Sequence, residues 1–410
     1  MHKTLVVLGA SHEHRIAITD LKNAGYRVIA VDGNPDSPAK DIVDGFVRAS
    51  IYSPEEVLNN LTSYLIQADE CVDGIMAVAC DAPMTVAYVA SKLELPSIGL
   101  EAARLVSNKA DMLEALDSYV PIPQYIITNS AFDVVDITHA TNLVYPMIIK
   151  PLDNRGARGV FMVRNPDELQ SLASRSSQYC IKDTRLMLQE YLDGPQLSVE
   201  GMMIDGDAYM PIVLDRNYAD TKHLLPNIIE NGGEMPSKYA HQYGYAITDT
   251  MTRAGRALGI YDGPIKGDLV IHDGTIYVIE IAGRMSGGFM GTLAAPWAIG
   301  VNITLANAEF ATEGKCNPDH LWHTSNRASV IRFAWPERAG KYRAQIVRSV
   351  LDSSDGDRVK VIDMSNGVIN FTGANSHHDR PIAIVAASNT VECAMDIANN
   401  VDIIWNEVAQ

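Results

Sequence analysis

The chain has 410 residues, of which 47% are hydrophobic and 20% are charged. This composition supports a sizeable core and excludes a mainly disordered or fibrous chain. At about 100–200 residues per domain, the length predicts two to four domains. The formal net charge of −17 argues against non-specific binding to nucleic acid or to anionic membranes, although a local basic pocket for an anionic ligand is still compatible with an acidic surface.

No segment approaches the roughly 18 continuous apolar residues of a membrane span, and the N-terminal apolar run is too short for a signal peptide. We therefore expect a cytoplasmic protein without a membrane or nucleic-acid partner. The five cysteines are scattered and contain no CxxC pair. This argues against a disulfide framework and against a zinc ribbon.

The first hundred residues alternate between strand and helix signals. Strands are predicted at 5–8, 28–31 and 74–78, and helices at 16–23, 54–65 and 83–93. Such alternation predicts a doubly wound parallel sheet. Ligands of these sheets bind at the carboxyl ends of the strands, which here are residues 9–12, 32–35 and 79–81.

From about Val106 the sequence becomes richer in strands. After a helix at 107–119, strands are predicted at 145–150, 160–163 and 186–191, hairpins at 199–213 and 264–281, and helices at 246–258 and near 390–399. The segment 216–237 is polar and poorly periodic, and it predicts a long functional loop or lid.

Lys150 ends an apolar strand and precedes a loop that contains Gly156 and Gly159. The glycines allow backbone N–H groups to face a ligand, and Arg155 and Arg158 add positive charge. Such a loop can close over phosphates. The alternative is a solvated hairpin turn.

The stretch Gln189, Glu190, Tyr191, Leu192 ends a further strand. Polar groups followed by apolar residues at a strand end can hold a purine, with backbone groups on its edge and side chains on its face. The alternative is a plain strand that runs into the turn at Gly194.

The most informative pattern is a pair of carboxylates on one predicted hairpin. Asp268 and Glu280 lie on opposite sides of the turn Asp273-Gly274, at spacings that place them roughly opposite each other. Two carboxylates without His or Cys suit Mg²⁺ that bridges phosphates. Lys266 lies two residues from Asp268, so it emerges on the same face, and Arg284 follows Glu280. Carboxylates flanked by cations predict a phosphoryl-transfer site; the alternative is a surface hairpin with cross-strand ion pairs.

In this order and spacing, the motifs resemble the ATP-grasp superfamily over nearly the whole chain. The resemblance implies an ATP-grasp fold of mixed α/β and α+β class, with an N-terminal Rossmann-like preATP-grasp domain and a small C-terminal α/β domain. It implies ATP and Mg²⁺ (or Mn²⁺) as cofactors. The expected domains are residues 1–105, an ATP-grasp core at 106–323 with a mobile lid at about 120–193, and residues 324–410.

The resemblance also assigns roles to residues. Asp268 and Glu280 match the metal carboxylates, and Arg284 matches the arginine beside them. Arg284 is expected to be catalytic, together with Lys266, which the strand period places on the same face as Asp268. The nucleotide-binding positions that the resemblance implies are Lys109, Lys150, Gly156, Gly159, Gln189, Glu190, Tyr191, Leu192 and Gln196. The charges of Arg155 and Arg158 in the glycine-containing loop add these two residues to the predicted nucleotide-binding set.

Two positions depart from the family pattern. Ala282 stands where the family commonly has an Asn ligand, so a second metal ion would rely on Glu280 and phosphate oxygens. Gln196 is neutral where ribose hydroxyls usually meet a carboxylate, so weaker nucleotide binding is expected. Amino-acid ligases of the family tolerate a small residue at position 282.

The implied activity is that of an ATP-dependent carboxylate–amine ligase. It would activate an amino acid or small carboxylic acid as an acyl phosphate and join it to an amine. Its partners would be these small molecules, and a homodimer is expected by analogy. The candidate substrate residues are Glu200, Arg216, His223, Ser286, Gly287 and Gly288.

Three other functions are considered. A ligase of the biotin-carboxylase or carbamoyl-phosphate type would use bicarbonate. A nicotinamide-dependent oxidoreductase would explain Asp32 at a strand end, but the first turn lacks the GxGxxG pattern. A non-catalytic nucleotide-binding protein would not need Lys150, Asp268, Glu280 and Arg284.

Overall fold

The N-terminal part of the chain is a parallel sheet, in a computed structural model that describes residues 2–139, 142–348, 358–365 and 367–408. Its strand order is β3-β2-β1-β4, from β1 (Thr4–Leu8), β2 (Arg27–Asp32), β3 (Gly45–Arg48) and β4 (Gly74–Ala77). The helices are α1 (His12–Asn23), α2 (Pro54–Ala68) and α3 (Pro83–Leu93). The doubly wound parallel sheet is therefore confirmed. The prediction missed β3, because only Phe46 and Val47 of its four residues are apolar.

The helix predicted at 107–119 is confirmed as α5 (Lys109–Leu116), and an unpredicted helix, α4 (Leu100–Ser107), precedes it. Asn108 separates them, because its backbone is extended and its side-chain oxygen accepts hydrogen bonds from the amides of Ala110 and Asp111. As a result, Lys109 is the first residue of α5.

A four-stranded antiparallel sheet follows, with the order β5-β8-β6-β7. Its elements are β5 (Tyr125–Thr128), α6 (Val134–His139), β6 (Met147–Pro151), β7 (Phe161–Val163), α7 (Pro166–Ser177) and β8 (Leu186–Glu190). One face packs into a core that includes Ile149 and Leu188. Because side chains alternate along a strand, the next residues, Lys150 and Gln189, point to the other face.

An eight-stranded sheet carries the two predicted hairpins, with the order β13-β12-β9-β10-β11-β14-β18-β16. Its strands are β9 (Gln196–Ile204), β10 (Asp207–Arg216), β11 (Gly233–Met235), β12 (Gly263–His272), β13 (Thr275–Ala282), β14 (Ala328–Ala334), β16 (Arg358–Asp363) and β18 (Ile382–Ser388). Helix α8 (Ala240–Ala257) begins earlier than predicted. The predicted loop at 216–237 is corrected at its end, because β11 is a strand that pairs with β10 and β14. The sequence did not indicate β11, because its three residues, Gly, Glu and Met, are too few to show the alternation of a strand.

The remaining elements complete the C-terminal part. They are α9 (Ala295–Ala298), α10 (Ile303–Glu313), β15 (Gly340–Arg348), β17 (Ile369–Phe371), α11 (Val391–Asn399) and β19 (Val401–Glu407). Strands β17, β15 and β19 form a small antiparallel sheet, and α11 confirms the helix predicted near 390–399. Within the described residues, no helix has the length and apolar character needed to cross a membrane.

Candidate active site

The hairpin of β12 and β13 pairs Asp268 directly with Glu280, as the sequence predicts. Three groups contact Oδ1 of Asp268: Nζ of Lys266 at 2.5 Å, Nη1 of Arg216 at 2.9 Å and Oγ of Ser198 at 3.1 Å. Burial acts to raise the pKa of Asp268, but the charges of Arg216 and Lys266 outweigh it and hold this pKa well below its usual range. Asp268 is therefore a charged carboxylate inside a set of cations.

Lys109 stands beside the second carboxylate of the pair. Its Nζ lies 3.6 Å from Oε2 of Glu280 and donates to the carbonyl oxygen of Asn154 at 2.7 Å. The start of α5, the segment after β6 and the β12–β13 hairpin therefore meet at one ammonium group.

The carboxylate pair fits a magnesium ion whose other ligands are phosphate and water oxygens. Among the described residues, no group of three or more His, Cys, Asp and Glu side chains is placed to hold a metal. Asp268 and Glu280 would supply two oxygen ligands, and phosphate and water oxygens would complete the six that Mg²⁺ prefers. The oxygen-only donor set also argues against zinc.

Lys150 and Gln189 form a buried pair on one face of the four-stranded sheet, the face opposite Ile149 and Leu188. Nζ of Lys150 donates to Oε1 of Gln189 at 2.7 Å. Burial, together with the nearby charge of Lys109, lowers the pKa of Lys150 to about 8. Because the ammonium faces Oε1, the Gln189 amide nitrogen points away from it, and this buried donor has no partner among the described residues. A ligand acceptor would satisfy it.

The residues that follow β8 lead directly into the eight-stranded sheet. Glu190 ends β8, Tyr191 and Leu192 lie in the connection, and Gln196 begins β9. The side chain of Glu190 accepts a hydrogen bond from the amide of Gln124 at 3.1 Å. The stretch that the sequence predicts to hold a purine thus lies where the four-stranded sheet leads into the eight-stranded sheet.

The glycine-rich loop lies between the N-terminal and C-terminal parts of the chain. The guanidinium of Arg155 stacks 3.8 Å from the ring centre of Tyr52. Gly156 has a φ of +64°, and its carbonyl oxygen accepts a hydrogen bond from the amide of His377 at 3.0 Å. Burial and the charge of Arg155 lower the pKa of Arg158. The loop is therefore held on both sides.

Arg284 connects the site to the N-terminal sheet. Its Nε lies 3.2 Å from Oδ1 of Asp81, which follows β4. The charge of Arg284 lowers the pKa of Asp81 against the effect of burial. Residues 79–81 were predicted as a ligand-binding strand end, but the pairing of Asp81 with Arg284 was not predicted.

The glycine-rich segment after Arg284 is fixed by two buried carboxylates. Glu200 accepts hydrogen bonds from the amide and the hydroxyl of Ser286, both at 2.6 Å. Glu13 accepts from the amides of Gly288 at 2.9 Å and Phe289 at 2.7 Å. Three predicted substrate residues, Glu200, Ser286 and Gly288, therefore have protein partners in this structure.

Gly287 remains exposed, and the structure gives its amide no partner among the described residues. Glu13 was missed by the sequence reading, since nothing in the sequence relates α1 to a segment more than 270 residues later.

The loop after β10 divides the remaining candidates. Arg216 contacts both Asp268 and Glu230, with Nη2 at 3.0 Å from Oε2 of Glu230. His223 is exposed in the short turn Lys222–Leu224, and within the described part of the chain no contact brings it to this group. Two residues from much later in the chain, His377 and Arg380, both pair with Glu230.

A cavity of about 690 Å³ lies next to this loop. Of the predicted site residues, only Gln196 and Arg216 line it. Its other walls come from the segment after Arg216, from the residues just before α8, from β14 and from α11, including Lys238, Arg332 and Met395. The cavity is therefore adjacent to the carboxylate pair rather than centred on it.

Comparisons with known proteins are consistent with this geometry. Residues 106–288 match the family model of the ATP-grasp domain. The chain is 25% identical over 264 residues to the ATP-grasp enzyme fsqD of Aspergillus fumigatus, covering 61% of this chain and 44% of that protein. The chain spans less than half of the length of the curated relatives that it matches.

Solved structures show the same fold over the full length. An L-amino acid ligase from Bacillus licheniformis superposes with a TM-score of 0.79, at 18% identity, over 99% of both chains. A phosphoribosylglycinamide synthetase from Anaerococcus prevotii superposes with a TM-score of 0.73, at 20% identity, over 98% of this chain and 100% of that one. At these identities the similarity establishes the fold, and it confirms the predicted architecture.

Proposed function

Because this chain is a member of the ATP-grasp superfamily, whose cofactors are ATP and Mg²⁺, we propose that it is an ATP-dependent carboxylate–amine ligase. Its acid would be an amino acid or a small carboxylic acid. The observation that carries the proposal is the pairing of Asp268 with Glu280 inside a group of cations.

ATP would lie in a cleft between the four-stranded sheet and the eight-stranded sheet. Lys150 and Gln189 face this cleft from one side, and the Glu190–Leu192 connection would hold the base. The buried Gln189 amide without a partner supports a ligand with an acceptor atom at that point. Gln196, at the start of β9, would face the ribose, and Lys109, Arg155 and Arg158, with the amides near Gly156 and Gly159, would face the phosphates.

Asp268 and Glu280 would hold Mg²⁺, which neutralises phosphate charge when it is bound. Lys109, Lys266 and Arg284 would orient the terminal phosphate and the reacting acid. Since these cations are held by carboxylates in the free protein, they are already positioned before the substrates bind.

The reaction would proceed in two transfers. A carboxylate oxygen attacks the γ-phosphorus while the bond to the β,γ-bridging oxygen breaks, so that ADP leaves and an acyl phosphate forms. The amine then attacks the acyl carbon and loses a proton, and phosphate leaves. The closed glycine-rich loop would exclude water from the acyl phosphate.

This chemistry requires no covalent protein nucleophile. Burial raises the pKa of the thiols of Cys80 and Cys316 to about 12, so neither forms a thiolate near neutral pH. Cys80, which is close to Arg284 and Asp81, is therefore not expected to form a thioester.

Two of the predicted substrate residues, Arg216 and Gly287, are the best placed to contact a substrate. Arg216 remains a candidate contact for the terminal phosphate or the acid, and the exposed Gly287 could donate its amide to an anionic group. The cytoplasmic location, the small-molecule partners and the homodimer expected from the sequence stay part of this proposal.

Hydroxylamine trapping tests the proposed function. The full chain is incubated with Mg-ATP, hydroxylamine and single members of a panel of amino acids and small carboxylic acids, and hydroxamate and ADP are measured together. Equal amounts of both with one acid are the expected result. ADP formed only with bicarbonate, without hydroxamate, would favour the biotin-carboxylase or carbamoyl-phosphate type of ligase. No ADP with any acid would contradict the proposal.

A further inference from the structure

Glu230 is the centre of a buried ion cluster that joins two distant parts of the chain. Its Oε1 lies 2.6 Å from Nη1 of Arg380, and its Oε2 lies 2.5 Å from Nε2 of His377 and 3.0 Å from Nη2 of Arg216. Only 12% of the Glu230 side chain and 7% of the Arg380 side chain are exposed. Burial acts to raise the pKa of Glu230, but Arg380 and His377 hold it well below the usual range.

Arg216 extends this cluster to the metal carboxylate. One guanidinium group contacts Glu230 through Nη2 and Asp268 through Nη1, so Arg380, Glu230, Arg216 and Asp268 form a continuous chain. The guanidinium of Arg380 also lies 4.0 Å from the ring centre of Phe333. The two contacts of Arg216 hold its guanidinium on both sides, and stacking holds that of Arg380.

The turn Ser376–Arg380, which we call the C-terminal turn, touches the glycine-rich loop as well. The amide of His377 donates to the carbonyl oxygen of Gly156 at 3.0 Å. The turn is itself fixed, because the Asp379 carboxylate accepts from the amide of Ser376 at 2.8 Å. One short segment therefore contacts both the loop over the expected phosphates and the cluster beside the metal carboxylate.

We propose that the C-terminal turn belongs to the γ-phosphate-binding site: through Glu230 it positions Arg216 for the terminal phosphate, and through its backbone it holds the glycine-rich loop closed. This inference rests on the proposed function. Arg216 contacts two carboxylates, those of Glu230 and Asp268. A cation bound at Asp268 offsets the charge of that carboxylate, which leaves Arg216 able to donate to a phosphate oxygen while Glu230 keeps its orientation.

The proposal makes Glu230, His377 and Arg380 positioning residues, which act through Arg216 and through Gly156. A purely structural ion cluster would affect stability and would treat ADP and ATP alike. Positioning of Arg216 through Glu230 affects only the nucleotide that has a terminal phosphate, and the side chains of Glu230 and Arg380 are not part of the backbone contact between His377 and Gly156. The ratio of the two affinities therefore separates the two roles.

The test is equilibrium binding of ADP and of the β,γ-imido analogue of ATP to the full chain with Mg²⁺, in the absence of acid and amine. The wild type is expected to bind the analogue more tightly than ADP. Glu230→Gln and Arg380→Gln are each expected to weaken the analogue about tenfold, the size of one charged hydrogen bond, and to change ADP less than about twofold. Arg380→Lys should restore part of the loss.

Glu234→Gln is the matched control. Glu234 pairs with Arg332 in the same sheet, but neither of them contacts Asp268 or Arg216 through any described bond. Its two affinities should stay at wild-type values. The double variant Arg216→Gln with Glu230→Gln should bind the analogue no more weakly than Arg216→Gln alone. The reason is that Glu230 acts through its contact with Arg216, and Arg216→Gln already removes that contact.

Two results would overturn the inference while leaving the proposed function intact. The first is that Glu230→Gln and Arg380→Gln lose affinity for ADP and for the analogue equally. The second is that neither variant loses affinity for the analogue. Failure of the wild type to bind any nucleotide would instead overturn the proposed function, and this inference with it.

Discussion

The ammonium of Lys109 lies 3.6 Å from the carboxylate of Glu280 and is the point where the start of α5, the segment after β6 and the β12–β13 hairpin meet. The position follows from a local feature, the extended backbone of Asn108, which ends α4 and begins α5. In the free protein, Lys109 offsets the charge that Mg²⁺ would offset in the complex. The same arrangement holds at Asp268 with Lys266.

The first prediction concerns this carboxylate pair. Asp268→Asn and Glu280→Gln each remove one negative oxygen ligand from the metal, so turnover should fall at least about a hundredfold while the fold is kept. Turnover is measured as ADP release, and the fold is checked by circular dichroism.

Asp273→Asn is the control for these variants, because Asp273 lies at the turn of the same hairpin and 93% of its side chain is exposed. It should keep wild-type turnover. Unchanged turnover in Asp268→Asn would refute the metal assignment.

The second prediction is a pH dependence of nucleotide binding. Burial lowers the pKa of Lys150 to about 8, so the free protein loses this positive charge as the pH rises past 8. Phosphates favour the protonated form, so binding above pH 8 must take up a proton, and affinity should fall by up to about tenfold per pH unit.

Lys150→Arg should remove this dependence, because an arginine stays charged throughout this range. The measurement is ADP affinity at pH 7, 8 and 9. A wild-type affinity that is constant from pH 7 to 9 would exclude a role for the Lys150 charge in binding.

The third prediction concerns closure of the glycine-rich loop. Trypsin cuts after arginine, so Arg155 and Arg158 report directly on access to the loop. Mg-ATP should slow cleavage there, and Tyr52→Ala should accelerate it, because the stacking of Arg155 is lost. Tyr245→Ala is the control, since its side chain is 88% exposed. Cleavage at the same rate with and without Mg-ATP would count against a closing lid.

The fourth prediction concerns stability in acid. His14 is buried beside Gly9, and burial lowers the pKa of its imidazole to about 4, from an ordinary 6.5. Between these values the unfolded chain binds a proton that the folded chain does not. The free energy of unfolding should therefore be highest above pH 6.5 and fall by roughly 3 kcal/mol towards pH 4 from this group.

His14→Gln should flatten that part of the pH profile, and His241→Gln, at an exposed helix position, should not. The measurement is urea unfolding at pH 7 and pH 5. An unchanged slope in His14→Gln would show that another group carries the acid effect.

Local chemistry explains which parts were predictable from the sequence. The Asp273-Gly274 turn sets the register of the near half of its hairpin, so counting residues places Asp268 roughly opposite Glu280. A one-residue irregularity between Asp268 and Leu269, which the sequence does not reveal, makes the pairing direct. Lys150 and Gln189 each follow a run of three apolar residues in their strands. In each case a few neighbouring residues determine the position of the side chain.

The missed contacts join elements that are far apart in the sequence. Glu13 binds amides near Gly288, Asp81 pairs with Arg284, and Arg380 pairs with Glu230. Each partner looks like an ordinary polar residue within its own segment. Only the packing of the N-terminal and C-terminal sheets against the central one brings them together.

The central claim is that the acid is activated by transfer of the terminal phosphate of ATP. The most direct measurement uses the acid that supports hydroxamate formation, labelled with ¹⁸O in both carboxylate oxygens, with Mg-ATP and the amine. Mass analysis of the released phosphate should show one ¹⁸O atom per turnover. Unlabelled phosphate, formed at the same rate as the product, would contradict an acyl phosphate and with it the proposed function.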